Sequence, residues 1–468
     1  MEVDTGNILA MASYPNYDLN DTRNTDNLIG MPELNEKNQR TGEYLTADMI
    51  RMMDDETMYR HLDALWKNFC IVDTYEPGSV SKPFTVAAAL ETGAIMGDEK
   101  FNCEGRLEVG DYKIKCHQIY GDGNISVAEG IERSCNVVLM NVAFKLGKDR
   151  FIDFQHLFGF GLKTNIDLAG ESRTASLVYN KDNIRQTELA TCSFGQGFNA
   201  SMIQVITGFC SLINGGYYYE PHVVSRIMTS DGATVENITP RLLKQTISQS
   251  TSDKILEYCN LVVTGEKGTG KTARPPGYMI GGKTGTAETL PRGNKEYVVS
   301  FMGYAPADDP EIAIYVVVDR PNAAQQDDAK FATRIVRKIL MEVLPYLNIF
   351  MTEELSEKEI EELNELQMQI TMQQQTEEGE GEEGEENEDE EEEEPESTAD
   401  TETWKTFPLD PESGYLKDPN TGNLVDPETG ASVSGDALIT GGENDVPVSG
   451  IGEPPAGGSE QDDNNFGP

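Results

Sequence analysis

The sequence has few basic residues, few histidines and no long apolar run. Of its 468 residues, 37 are Lys or Arg and 81 are Asp or Glu, so the formal net charge is −44. Such an excess of negative charge argues against a nucleic-acid-binding surface. No apolar stretch reaches the roughly 18 residues that a membrane-spanning helix needs.

The four histidines and seven cysteines are scattered, and no two cysteines form a C-x-x-C pair. Zinc ligands usually come in such closely spaced pairs. The spacing therefore predicts no metal site, and we expect no cofactor. Cys103 and Cys116 flank a predicted hairpin that would place them side by side, either as a disulfide or as two reduced thiols.

The chain starts abruptly. No signal peptide is recognisable, and Met1-Glu2-Val3 runs directly into a turn and the apolar segment at 8–13. We expect the sequence to be a piece of a longer protein whose front end carried a signal or membrane anchor.

The negative charge is concentrated near the C-terminus. Residues 351–468 hold 36 of the 81 acidic residues and 3 of the 37 basic residues. This division predicts a globular domain over 1–350, a polar helix or linker over 351–376, and an acidic, Gly- and Pro-rich disordered tail over 377–468. The polar segment has a capping box at Ser356 and Glu359, but its weak apolar stripe favours a solvated extension of the preceding helix over a separate helix.

An eight-residue repeat lies in this tail, with Asp-Pro at 410, 418 and 426 and a glycine four residues after each aspartate. The composition of each unit predicts a turn. Isolated turns in a flexible tail are favoured over a calcium site, and we expect deletion of 351–468 to leave the chemistry of the globular domain intact.

The globular part predicts an α+β fold with an antiparallel sheet, because consecutive strands follow several helices instead of alternating with them. The strands at 296–306 and 311–321 are joined by the turn ADDP and so predict a hairpin. The predicted strands are 8–13, 278–289, 296–306 and 311–321, and the predicted helices are 81–94, 125–147, 201–216 and 331–347.

A phosphate-loop pattern occurs at residues 265–272, which read GEKGTGKT. A phosphate-binding loop needs a helix directly after it, so that the helix N-terminus can hold the phosphate. Here Pro275-Pro276-Gly277 follows and forbids that helix. We therefore predict a Gly-rich turn and no nucleotide site.

A second constellation is spread over three motifs. Ser79-Val80-Ser81-Lys82 opens a predicted helix, Ser134-Cys135-Asn136 lies in the next helical block, and Lys283-Thr284-Gly285-Thr286 lies on a predicted strand. Each motif alone is weak. The three in this order, each on the element that its role requires, predict a nucleophilic site.

The chemistry assigns a role to each motif. Positions i and i+3 share a helix face, so Lys82 can reach the Ser79 hydroxyl and act as its base when burial removes the lysine proton. Ser134 can relay that proton. On the strand, Lys283 with its neighbouring threonines presents a cation and hydroxyls to an anionic substrate end, and Gly285 permits close approach to the backbone.

These residues resemble the transpeptidase domain of class B penicillin-binding proteins, of the division and sporulation type. The resemblance extends over residues 2–347 and implies the penicillin-binding-protein and β-lactamase-like fold. The tail has no counterpart in it. The matching segments include YEPGSVSKPFTVAAALE, ERSCNVVLMNVAFKLG, FGQGFNASMIQVITGFCSLINGG and GYMIGGKTGTAE.

The resemblance implies acyl transfer from stem peptides that end in D-Ala-D-Ala. Ser79 would be the nucleophile, Lys82 the base, and Ser134 the proton shuttle to the leaving D-alanine. Asn136 would hold the peptide amide. Backbone N–H groups of Ser79 and Thr286 would form the oxyanion hole, and the substrate carboxylate would be bound by the side chains of Lys283, Thr284 and Thr286.

The resemblance further implies β-lactams as covalent inhibitors, a site of action on the outer face of the cell membrane, and a membrane glycosyltransferase and division or sporulation proteins as partners. A β-lactamase, a D,D-carboxypeptidase, a β-lactam sensor and an inactive scaffold remain alternatives of the same fold. The E-x-x-x-N segment that class A β-lactamases use for deacylation is not evident between 134 and 283.

Overall fold

The structure is a computed structural model that describes residues 1–364 and three two-residue strands between 416 and 433. None of the helices described there is both long enough and apolar enough to cross a membrane. The α-helices are α1 (Ala47–Arg51), α2 (Asp55–Trp66), α3 (Phe69–Val72), α4 (Lys82–Glu91), α5 (Val127–Glu132), α6 (Asn136–Leu146), α7 (Lys148–Leu157), α8 (Gln186–Cys192), α9 (Met202–Ile213), α10 (Gln249–Thr264) and α11 (Lys330–Tyr346).

The strands fall into small antiparallel sheets. In chain order they are β1 (Pro32–Leu34), β2 (Arg40–Tyr44), β3 (Lys100–Cys103), β4 (Arg106–Val109), β5 (Tyr112–Lys115), β6 (Gly123–Ser126), β7 (Tyr217–Tyr219), β8 (Arg226–Met228), β9 (Thr234–Asn237), β10 (Leu242–Gln245), β11 (Gly281–Glu288), β12 (Tyr297–Ala305), β13 (Ile312–Asp319), β14 (Leu416–Lys417), β15 (Leu424–Val425) and β16 (Ser432–Val433).

The sheet that positions the site is three-stranded, in the order β11-β12-β13, and antiparallel throughout. Both of its faces are covered. Along β13, Ile314 and Val316 pack with the apolar side of α11, whereas Ala313 and Tyr315 pack with the helical core on the other side. Because both faces of the sheet are buried, the sequences of these strands are almost continuously apolar. The predicted hairpin and the predicted α+β class are confirmed.

The helical core surrounds α4. Its Ala-rich sequence lets neighbours pack closely on every side, and Ala87 and Ala89 are fully buried. The predicted helix over 81–94 is confirmed for 82–91, and Gly93 follows it with φ +65°, the left-handed geometry of a helix C-terminus.

Two predicted elements differ in the structure. Residues 8–13 form no strand, because their backbone finds partners only at the start, where Asn7 bridges His222 and Ile8 N–H donates to the His222 carbonyl. The helix predicted over 125–147 is divided into the end of β6, then α5 and α6. Ser134, with φ +58°, makes the break between the two helices.

The sequence patterns predict no element between residues 14 and 78. There the structure has the β1–β2 hairpin and helices α1 and α2, which enclose a separate apolar cluster. The buried members of this cluster are Leu28, Met31, Leu45, Ile50, Leu62 and Leu65.

The polar segment after α11 is a distinct helix and not an extension of α11. Leu347 caps α11, and residues 357–364 are helical. The predicted capping box is present, since Ser356 N–H donates to Glu359 and Glu359 N–H donates to Ser356 Oγ.

The second compact unit, residues 364–451, is described only at β14, β15 and β16. These three strands form an antiparallel sheet whose strands begin eight residues apart, the period of the Asp-Pro repeat. The repeat therefore alternates with paired strands instead of forming isolated turns. The low-complexity stretch at 377–396 and the turns themselves lie outside the described residues.

Candidate active site

Ser79 lies in a 3₁₀ turn, Gly78–Ser81, that leads directly into α4. Gly78 has φ +61°, and a Cβ at this position would lie 2.7 Å from the Thr286 carbonyl oxygen. A Cβ on Gly195 would overlap the Gly78 carbonyl, while Gly78 N–H donates to the Gly195 carbonyl at 2.9 Å. Glycines on both sides thus let β11 and the Gly195 loop approach the nucleophile turn more closely than any side chain would permit.

Lys82 is fully buried, and its ammonium group points to Ser134. Lys82 Nζ donates to Ser134 Oγ at 2.9 Å and to the Ser134 carbonyl at 2.5 Å. Burial lowers the pKa of Lys82 to about 8, although nearby acidic groups partly offset this effect. This amine therefore loses its proton more readily than an ordinary lysine, and its neutral form can accept a proton.

The predicted contact between Lys82 and Ser79 is absent from the hydrogen bonds of the described residues. Lys82 directs its protons to Ser134, while Ser79 remains half-buried at the start of the helix. Such contacts frequently tighten only when substrate is bound. Ser134 therefore links the base to the rest of the site in the free protein.

Ser134 occupies a strained backbone position between α5 and α6. A φ of +58° is costly for a residue with a Cβ and is typical of functional positions. Two residues on, Asn136 begins α6, and its Nδ2 donates to the Lys115 carbonyl at 3.2 Å. The break in the predicted helix is what aims both side chains toward the same cleft.

Strand β11 places the third motif, which begins at Lys283, next to Ser134. Lys283 Nζ donates to Ser134 Oγ at 3.1 Å, from a fully buried position. Burial, followed by the charge of Lys82, holds the pKa of Lys283 well below its ordinary value. The two lysines and Ser134 thus form one hydrogen-bonded group that joins the three motifs.

The neighbours of Lys283 on β11 shape the cleft. Thr284 Oγ1 lies 2.7 Å from Thr269 Oγ1, and Thr286 pairs with Val299 of β12. A Cβ on Gly285 would lie 3.0 Å from Val80 and would overlap the Ser300 hydroxyl. The sequence predicts that another group approaches the strand backbone closely at Gly285. In the structure that group includes Val80, the residue directly after Ser79.

The phosphate-loop pattern is part of this same neighbourhood. It follows helix α10, not a strand, and leads into the short 3₁₀ turn Lys271–Ala273, so the predicted Gly-rich turn is confirmed. The sequence did not indicate that Thr269 of this turn forms a hydrogen bond with Thr284 of the β11 motif.

A second residue that supports the candidate active site, Glu76, was also not predicted from the sequence. Glu76, three residues before Ser79, pairs with Arg292 from the β11–β12 connection and accepts the Gly197 N–H at 2.9 Å. Its side chain is only 10% exposed. Proximity of Glu76 to the S-x-x-K motif was the only sequence signal available for this role.

All seven cysteines are free thiols in the structure. Of the two states left open for Cys103 and Cys116, the structure therefore has the reduced one. The sulfur atoms of Cys116 and Cys135 lie 3.6 Å apart.

The chain belongs to the family described as "Penicillin binding protein transpeptidase domain", whose model matches residues 1–341. It is similar to Stage V sporulation protein D of Bacillus subtilis (strain 168), with 36% identity over 288 residues, 60% of this chain and 44% of that protein. It is also similar to the probable peptidoglycan D,D-transpeptidase PenA of Neisseria gonorrhoeae, with 28% identity over 287 residues, 61% of this chain and 46% of that protein.

A solved structure supports the same fold. The transpeptidase domain of Burkholderia pseudomallei penicillin-binding protein 3 in its apo form matches with a TM-score of 0.55 and 25% identity, over 62% of this chain and 84% of that one. The resemblance to class B penicillin-binding proteins is thus confirmed. The chain spans less than half the length of the two curated relatives.

Proposed function

We propose that this chain is a serine acyltransferase that cross-links peptidoglycan stem peptides by D,D-transpeptidation. The observation that carries the proposal is the convergence of Lys82 Nζ and Lys283 Nζ on Ser134 Oγ, beside the turn that bears Ser79. Lys82 provides the base, and Lys283 becomes the cation when the anionic end of the substrate binds beside it, because an opposite charge favours the protonated amine.

In the acylation step, Ser79 Oγ attacks the carbonyl carbon of the penultimate D-alanine. The Ser79 proton passes to Lys82. The hydroxyl of Ser134 then gives its proton to the nitrogen of the departing D-alanine and takes the proton held by Lys82, which becomes neutral again. An ester to Ser79 forms as the peptide C–N bond breaks. The 2.9 Å contact between Lys82 and Ser134 supports this path.

The oxyanion of the tetrahedral intermediate is bound by the backbone N–H groups of Ser79 and Thr286. The closeness of Gly78 to Thr286 supports this assignment, because it brings the two stretches of backbone together. Lys283, Thr284 and Thr286 bind the terminal carboxylate, and Asn136 holds the peptide amide. These interactions place the scissile bond over Ser79.

In the second step the neutral amine of a neighbouring stem peptide attacks the ester carbon and forms the new amide C–N bond. The ester C–O bond breaks, and the proton lost by the amine passes to Ser79 Oγ. A β-lactam acylates Ser79 in the same way, but its ring opens without releasing a leaving group from the site. The resulting ester is expected to persist, because the E-x-x-x-N segment that class A β-lactamases use for deacylation is not evident between 134 and 283.

Intact-mass analysis after incubation with benzylpenicillin tests the nucleophile. We expect one stable adduct per chain in the wild type and none in Ser79→Ala, with circular dichroism confirming that both are folded. A folded wild-type chain that gains no adduct would contradict the proposal.

Hydrolysis of a chromogenic cephalosporin separates the functions that share this fold. We expect a single burst of one product per chain, followed by slow turnover. Rapid steady turnover would indicate a β-lactamase, whereas release of D-alanine from a stem pentapeptide without acceptor incorporation would indicate a carboxypeptidase.

We further propose that the protein acts on the outer face of the cell membrane together with a membrane glycosyltransferase and division or sporulation proteins. The similarity to Stage V sporulation protein D supports a role in sporulation. Fluorescence microscopy of the tagged full-length protein in sporulating cells tests this role. Signal at the sporulation septum is expected, and uniform signal that is unchanged on sporulation would contradict it.

A further inference from the structure

Four side chains from separate segments converge next to the candidate active site. Cys103 ends β3, Cys116 follows β5, Asp122 precedes β6, and Cys135 is the N-cap residue of α6. The three sulfur atoms and one carboxylate oxygen of Asp122 all lie within 4.8 Å of one another. We call these four residues the thiol cluster.

Two strand pairings bring the residues of the thiol cluster together. Strands β3 and β6 pair with Cys103 opposite Gly123, which places Asp122 beside Cys103. The β4–β5 hairpin then returns the chain, and Cys116 N–H donates to the Gly105 carbonyl at 2.8 Å. Successive ligands are 13, 6 and 13 positions apart, so no closely spaced pair reveals the cluster in the sequence.

The cluster is buried and includes an unpartnered oxygen. All three cysteines are at most 4% exposed, and the Asp122 side chain is 10% exposed. Asp122 Oδ2 has no hydrogen-bond partner, and Oδ1 is 4.0 Å from the nearest Arg133 guanidinium nitrogen. A buried carboxylate oxygen without a donor is costly, and a bound cation would satisfy it.

The distances match a metal-bound arrangement better than a disulfide. The sulfur atoms of Cys116 and Cys135 lie 3.6 Å apart, whereas a disulfide requires about 2.05 Å. Four ligands arranged as a tetrahedron around zinc, with Zn–S bonds of about 2.3 Å, have sulfur atoms about 3.8 Å apart. Buried cysteines that serve only as small apolar residues would also not need a carboxylate among them.

We propose that Cys103, Cys116, Asp122 and Cys135 bind one Zn²⁺ ion. Three thiolates and one carboxylate are a donor set that favours zinc and disfavours Mg²⁺ and Ca²⁺, which take oxygen ligands. Four protein ligands complete a tetrahedron and leave no position open for a reactive water. The ion is therefore structural. This proposal departs from the expectation drawn from sequence spacing, which predicted no metal site.

The site would fix the S-x-N motif in place. Cys135 lies between Ser134 and Asn136, and Cys116 follows Lys115, whose carbonyl accepts the Asn136 amide. A metal bond at Cys135 would hold the strained turn at Ser134 and orient both neighbours without touching the substrate. The zinc ligands thus act as positioning residues for the candidate active site.

Metal analysis of the purified chain tests the proposal directly. We expect elemental analysis to give one zinc per chain in the wild type and in Cys70→Ser, which alters a buried cysteine outside the cluster. In Cys103→Ser and Cys116→Ser, we expect zinc affinity, measured by competition with a chromogenic chelator, to fall at least about tenfold. Wild-type protein that neither contains zinc nor takes it up, or variants that retain wild-type affinity, would overturn the proposal.

A spectroscopic measurement keeps the test decisive if the variants fail to fold. Replacement of the ion by Co²⁺ in the wild type should give thiolate-to-cobalt charge-transfer bands and the intense visible bands of tetrahedral cobalt. A spectrum of six-coordinate, oxygen-bound cobalt, or a disulfide among the three cysteines with no metal uptake after reduction, would overturn the assignment. Neither readout depends on penicillin labelling, so failure of the zinc site and failure of the proposed transpeptidase activity are distinguishable.

Discussion

Lys82 and Lys283 donate hydrogen bonds to the same atom, the Ser134 hydroxyl oxygen, at 2.9 and 3.1 Å. Both lysines are fully buried, and the charge of Lys82 adds to burial in lowering the pKa of Lys283. Two ammonium groups so close together in a buried site disfavour double protonation. The site therefore holds a neutral amine without any histidine or carboxylate as base.

The lowered pKa of Lys82, about 8, predicts a pH dependence of acylation. Lys82 acts as base only when it is neutral, so the second-order rate constant for acylation by benzylpenicillin should rise with pH and level off above about 8. Below that value the rate should fall about tenfold per pH unit. Rates measured by intact mass between pH 6 and 9 test this. A flat profile, or one that declines with rising pH, would rule out Lys82 as the base.

Replacing Lys283 by methionine should impair recognition of the substrate carboxylate. A charge-assisted hydrogen bond of this kind contributes about 1.5–3 kcal/mol, so the acylation rate constant should fall roughly 10- to 100-fold. Lys271→Met is the matched control, because Lys271 is exposed in the adjoining Gly-rich turn and bonds only the Glu266 carbonyl. Equal losses in the two variants would contradict a specific role for Lys283.

Gly285→Ala should disturb the contact between β11 and the nucleophile turn. The new Cβ would overlap Ser300 Oγ and would lie 3.0 Å from Val80. Overpacking of this kind costs about 1–3 kcal/mol, which denaturant unfolding would measure. Adding Ser300→Ala removes the overlapping hydroxyl and should recover part of that loss. A double variant with strictly additive losses would show that the two sites are not in contact.

Glu76→Gln should loosen the loops around Ser79 without removing any reacting group. The change breaks an ion pair with Arg292 and weakens the hydrogen bond from Gly197 N–H. Because the Glu76 carboxylate is largely buried, we expect a loss of about 1–3 kcal/mol in unfolding free energy and slower acylation. Arg292→Gln should produce a similar loss, and the double variant should lose less than the sum. Independent effects would contradict the coupling.

The sequence was most informative where function imposes motifs. The S-x-x-K, S-x-N and K-T-G motifs, with their order, predict the convergence of Lys82, Ser134 and Lys283, and the apolar runs of β12 and β13 predict the hairpin. The hairpin prediction succeeds because it depends on a short turn between adjacent strands, whereas the convergence follows from the shared chemistry that the three motifs imply. The boundaries of α4 and α9 follow equally well from composition and terminal glycines.

The failures share a physical cause, which is that long-range packing decides them. Periodicity continues across Ser134, so the sequence does not reveal that positive φ divides the helix there. The thiol cluster is assembled by the pairing of β3 with β6, which the spacing of its cysteines does not disclose. The ion pair of Glu76 with Arg292 likewise joins residues that are far apart in the chain.

The start of the tail that we predict to be dispensable is also decided by packing. Residues after 350 still contact the transpeptidase unit: Thr352 N–H donates to the Gly277 carbonyl at 2.9 Å, and Arg274 pairs with Glu353 and Glu359. Arg337 forms a bidentate pair with Glu362. The structure thus moves the boundary expected at 350 toward 364.

Two truncations separate these boundaries. A chain ending at 364 keeps every one of these contacts, and we expect its melting temperature and acylation rate to equal those of the full chain. A chain ending at 350 loses three partly exposed ion pairs, each contributing about 0.2–1 kcal/mol, together with the backbone bonds to Gly277. Its melting temperature should therefore fall by several degrees, while penicillin labelling of Ser79 persists below the transition. Equal melting temperatures for the two truncated chains would show that residues 351–364 contribute nothing to the stability of the fold. Loss of penicillin labelling in the folded chain ending at 364 would show that the tail is part of the site.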